Sequence, residues 1–125
     1  MKLDFSQKYA VRPLTAGDVD KILALCAENE QFYRYHPPMA TRESILADMT
    51  ALPPGTGVEN KHYLGFFDGD ALVAVLDLIE HYPQQNTAYI GFFMTKKERQ
   101  GCGLGTSLIG KLFDELRKEK FCRVR

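Results

Sequence analysis

Short apolar runs dominate the middle of the chain, and apolar residues at helical spacing lie on either side of them. His62-Tyr63-Leu64-Gly65-Phe66-Phe67 and Ala71 to Ile79 predict two strands joined at Asp68-Gly69-Asp70, a strong hairpin signal. Tyr82-Pro83-Gln84-Gln85-Asn86 reads as a second turn, leading into a strand from Ala88 to Thr95. Near the start, Tyr9 to Leu14 reads as a short strand, which Pro13 places near an edge or a strand end. Thr15-Ala16-Gly17-Asp18 then fits a capping box, and Val19, Ile22, Leu23 and Cys26 behind it predict a helix over about 16–29. Thr41 caps a second helix, with Ile45, Leu46, Met49 and Leu52 on its buried face, stopped by Pro53-Pro54-Gly55. Between these helices, Phe32 to Pro38 is expected to be an aromatic loop.

Leu104, Leu108, Ile109, Leu112, Phe113 and Leu116 fall on one half of a helical wheel, predicting an amphipathic helix over about 104–120. On the polar half, Asp114 and Lys118 have the i,i+4 spacing of an ion pair. Gly110, also polar-facing, costs about 1 kcal/mol relative to alanine, and nothing in the sequence accounts for it. Phe121 to Arg125 reads as the opening of another strand. The order is strand, two helices, three antiparallel strands, glycine turn, helix and strand start. It predicts the α+β class, with a mixed, mainly antiparallel sheet flanked by helices.

Composition narrows the function. At 125 residues the chain is one domain, large enough to bury about two thirds of its unfolded surface. Sixteen basic and sixteen acidic residues cancel, so no global field recruits nucleic acid or an acidic membrane. No apolar run approaches the roughly 20 residues that span a bilayer, and Met1 to Ser6 carries no signal-peptide core. Cys26, Cys102 and Cys122 lack metal-ligand spacing, so free thiols, no metal and a cytoplasmic location are expected.

The most informative segment is Gln100-Gly101-Cys102-Gly103-Leu104-Gly105, set between a predicted strand and a predicted helix. The first N–H groups of a helix lack intrahelical partners and lie at the positive end of its dipole. Glycines let a phosphate reach that backbone without meeting a Cβ. The segment therefore reads as a pyrophosphate cradle, against the plainer reading of a helix-capping turn. A Walker loop is excluded because no Gly-Lys-Ser/Thr follows, and Thr106 stands where a dinucleotide fingerprint needs its third glycine.

Gln100, Gly103 and Gly105 satisfy Gln/Arg-x-x-Gly-x-Gly, and on this pattern and its context the chain resembles the Gcn5-related N-acetyltransferases over nearly its whole length. The resemblance implies acetyl-CoA as donor and an amine, small-molecule or peptide, as acceptor. It implies that Phe93, Met94 and Thr95 meet the pantetheine arm and that Gln100, Gly101, Cys102, Gly103, Leu104, Gly105 and Thr106 hold the pyrophosphate, with charge help from Lys96, Lys97 or Arg99. Family members continue past a strand like Phe121–Arg125 with a further helix and strand. Residues 1–125 therefore read as an incomplete domain, with little turnover expected of this form and a strand edge inviting a homodimer.

Many members carry a general-base glutamate where this chain has Tyr89, and a phenol, with a reference pKa near 10, is a poor base at neutral pH. Tyr89 is read as a group orienting substrate or water, or else as a packing aromatic. Asp77 interrupts an apolar strand, so it must be paired or face a cavity, as amine anchor, proton relay or structural partner. By analogy Tyr33, Tyr35 and His36 lie over the acceptor site, while Glu80 and His81 are expected in solvent. A non-catalytic acyl-CoA-binding module on the same fold is the rival reading. A mononucleotide-binding domain is a more distant one, opposed by Thr106 and the antiparallel strand order.

Overall fold

A computed structural model describes residues 9–96, 104–119, 121 and 123–124. Strand β1 (Ala10–Pro13) leads through a 3-10 turn (Ala16–Asp18) into helix α1 (Val19–Glu28). Helices α2 (Glu30–Tyr35) and α3 (Arg42–Thr50) follow, then strands β2 (Lys61–Asp68), β3 (Ala71–Glu80) and β4 (Thr87–Thr95). Helix α4 (Leu104–Lys118) and strand β5 (Arg123–Val124) complete the order. The five strands form one sheet in sequence order, antiparallel from β1 to β4, with β5 parallel to β4.

Both predicted caps form. The Thr15 N–H donates to Asp18 Oδ2 (2.9 Å), and Thr41 and Ser44 exchange reciprocal bonds at the head of α3. The hairpin turn falls at Gly69, whose φ of 61° lies in the left-handed region where a Cβ is unfavourable.

The sheet buries both faces. Leu64, Phe66, Leu76 and Leu78 on one face pack with Leu108, Leu112 and Leu116 of α4. On the other face, Tyr63, Phe67, Val75 and Met94 pack with Ile22, Leu25 and Cys26 of α1 and Ile45 of α3. Strand periodicity of two sends alternate residues of β2, β3 and β4 to these two cores, which is why their sequences read as nearly continuous apolar runs.

Four local expectations change. Residues 30–35 are helical rather than a loop, with Phe32 and His36 stacked one turn apart (4.8 Å between ring centroids). Leu46 is 40% exposed rather than buried, and α3 ends at Thr50, so Leu52 lies in the connector beyond it. Glu80 is not solvated but half-buried and paired with His62. Asp114 pairs with Arg117 (3.3 Å), one residue short of Lys118. No helix among the described residues is long and apolar enough to cross a membrane.

Candidate active site

Strand β4 organises the site. Its register with β3 runs from Ala74 opposite Thr95 to Glu80 opposite Ala88, but slips between the pairs Asp77–Phe92 and Leu78–Ile90. Gly91 is the extra residue, a β-bulge of the kind that bends a strand and re-aims neighbouring side chains. A Cβ on Gly91 would lie 3.1 Å from Asp77 Oδ2 and 3.4 Å from its Cγ. The missing side chain at the bulge is therefore what makes room for the Asp77 carboxyl.

Asp77 is buried and does not stand alone. The Lys61 ammonium donates to Oδ2 at 3.0 Å and lies 2.9 Å from Oδ1, though no donor is aligned on Oδ1. In the sheet register Lys61 is opposite Ile79 and Tyr63 opposite Asp77, so the pair is diagonal on one face. Burial pushes the Asp77 carboxyl above its usual range, and the Lys61 hydrogen bond only partly counters it. The pair floors an open hollow of about 320 Å³, walled by Leu52 and Pro53 of the connector after α3 and by Ile79, Tyr82 and Tyr89. Tyr82 and Tyr89 meet edge to face, centroids 5.4 Å apart, with Tyr89 36% exposed. The hollow thus offers one buried carboxylate, an apolar wall and two phenol rings.

A second hollow of about 420 Å³ lies at the other end of β4, where Phe93, Met94 and Thr95 face Phe32, Tyr35 and His36 of the aromatic segment. Its base is tied by Asn29, whose side-chain amide donates to Leu25 O (2.9 Å) and Thr95 O (3.3 Å), linking the end of α1 to the end of β4. Among the described residues, strand β5 pairs with β4 at Thr87 and Ala88 and not along the outer edge from Ile90 to Met94. An extended chain bearing amides fits such an edge by strand addition.

The expected site residues separate into groups. Tyr89 and Asp77 share the first hollow; Phe93, Met94, Thr95, Tyr35 and His36 share the second. Tyr33 turns inward instead, half-buried against the α1 side core beside the Cys26 thiol, where burial raises its hydroxyl far above the phenol range. Gln100, Gly101, Cys102 and Gly103 lie outside the described residues, as do Lys97 and Arg99, while Leu104, Gly105 and Thr106 form the start of α4. Lys61, Gly91 and Tyr82 escaped the sequence reading. Lys61 had no signal without the hairpin register, and only the bulge reveals Gly91.

The architecture is that of solved acetyltransferases. An acetyltransferase from Thermus thermophilus superposes with a TM-score of 0.73 at 18% identity, covering 91% of this chain and 71% of that one. The ribosomal-protein-S18-alanine N-acetyltransferase from Escherichia coli gives 0.63 at 14% identity, over 90% of this chain and 62% of that one, so this chain spans less than two thirds of its length. The paia N-acetyltransferase from Thermoplasma acidophilum, solved with coenzyme A, gives 0.62 at 16% identity, over 90% and 74%. The sequence matches no curated protein. The sequence profile of the acetyltransferase (GNAT) family matches residues 22–125, and the chain belongs to that family.

Proposed function

We propose that this chain is an acyl-CoA-dependent N-acetyltransferase that moves an acetyl group from acetyl-CoA to a primary amine. The observation that carries the reading is β4, which among the described residues has an edge unpaired by β5 from Ile90 to Met94 and, on the face toward α1 and α3, a hollow floored by a buried carboxylate. Acetyl-CoA supplies the thioester. On this reading its pantetheine arm lies along Phe93 to Thr95, and its pyrophosphate meets the backbone N–H groups from Gln100 to Thr106.

The chain's own residues then have three tasks. The acceptor must present a neutral nitrogen, so its proton needs a base. Asp77 serves as anchor and proton acceptor, since a carboxyl raised by burial holds a proton more readily than a solvated one. Lys61 keeps that carboxyl ionised and oriented, and Tyr89 lines the approach of the amine. Across the reaction the nitrogen–acetyl bond forms, the carbon–sulfur bond breaks, one proton leaves nitrogen and one joins the thiolate.

Calorimetry with acetyl-CoA, ATP and NAD tests the donor class: acetyl-CoA is expected to bind, and selective ATP binding would defeat the proposal. Thiol release from acetyl-CoA over a panel of amines tests the reaction. Tyr89, standing where many members carry a carboxylate, favours a second reading, a non-catalytic acyl-CoA-binding module. Binding of acetyl-CoA with no amine-dependent thiol release would select that module over the enzyme.

A further inference from the structure

The hollow over Asp77 contains one cation and one anion, and each is the other's partner. Lys61 and Asp77 cancel, and the surrounding Leu52, Pro53, Ile79, Tyr82 and Tyr89 add no carboxylate or ammonium. Asp48 on α3 acts on Asp77 through space but does not line the hollow. A polycation entering here could share Asp77 with Lys61 through one ammonium and would find no anion for the rest. A desolvated charge without a partner is costly, whereas an apolar body gains about 25 cal/mol for each Å² it buries. The tyrosine rings add edge and face surfaces for an aromatic group.

Room for a single amine is visible at Asp77 itself. Oδ2, which takes the Lys61 hydrogen bond, lies 3.1 Å from where a Cβ on the exposed Gly91 would sit, so the bare backbone there leaves that oxygen facing the hollow. Beyond Leu52 and Lys61, which serve as shared walls, a second hollow of about 250 Å³ is lined by Leu14, Met49, Val58 and Tyr63, extending the apolar surface. The two hollows together suit a body larger than a methyl or ethyl group.

We infer that the acceptor is a monoamine on an uncharged aliphatic or aromatic body, with its nitrogen at Asp77 Oδ2 beside Gly91 and its body against Leu52, Pro53, Ile79 and the two tyrosine rings. Calling it the acceptor rests on the acetyl-transfer reading; the binding claim is measured without the donor. The protein is titrated with phenethylamine and with spermidine, following its NMR spectrum, and thiol release is then measured with each amine and acetyl-CoA. Phenethylamine is expected to bind roughly tenfold or more tightly than spermidine, and kcat/KM to follow the same order. Leu52→Glu adds a carboxylate to a wall that belongs to no helix or strand, and is expected to move the ratio roughly tenfold toward spermidine. Preference of the native protein for spermidine, an unmoved ratio in L52E, or no binding of phenethylamine would overturn the inference. Failure of acetyl-CoA to bind while the amine preference holds would sink the transfer reading alone.

Discussion

Two carboxylates show opposite uses of the same side chain. Asp18 is buried at the head of α1, takes two hydrogen bonds from Arg12 (2.8 and 3.0 Å) and one from the Thr15 N–H, and is held down to about 2, chiefly by Arg12. Its folded value lies below that of the unfolded chain, so the stability it confers is present above about pH 4 and is lost as pH falls through 2. Asp18→Asn should therefore cost about 1–2 kcal/mol at pH 7, a figure reduced for the half-exposed Arg12 partner, and the difference in urea unfolding should shrink steadily as pH falls toward 2. Asp77 is the reverse, raised by burial, with Lys61 holding its charge. Lys61→Met should cost roughly 3 kcal/mol at neutral pH by stranding that charge. Because the folded value is raised, the penalty grows as pH rises through it; the K61M defect should shrink as unfolding is repeated from pH 7 toward 4.5.

Among the elements, strands and caps were legible because their signals are local: alternation, a glycine at the turn, a threonine three residues ahead of its partner. Helix α2 was not, since a six-residue helix leaves no second turn of apolar spacing to read, and its aromatic content suggested binding more than helicity. The ends of strands were readable, but the bulge at Gly91 was not, because an extra residue in a ladder exists only relative to the partner strand. Gly110, unexplained by the sequence, is exposed on α4 with nothing within 4 Å of where a Cβ would sit. No packing or close approach among the described residues holds it as glycine. Gly110→Ala should stabilise the protein by about 0.5–1 kcal/mol, measured as a higher urea midpoint with unchanged m-value.

Across the whole molecule, the sheet separates two jobs that the sequence presents as one run of residues. One side of β4 packs toward α4; the other looks toward α1, α3 and the Asp77 hollow. The fold was readable from spacing and motif, whereas the hollow at Asp77 was only partly so. Asp77 stood out as a charge among apolar neighbours, but Lys61 reaches it through pairing that depends on register, and Tyr82 joins its hollow from the turn after β3. Leu52 and Pro53, which wall that hollow, sit in a connector free of helix and sheet hydrogen bonding. On the proposed acetyl-transfer reading, residues 51–53 can therefore vary to choose a new amine without disturbing β4, and a small library confined to that connector is the natural route to changed selectivity.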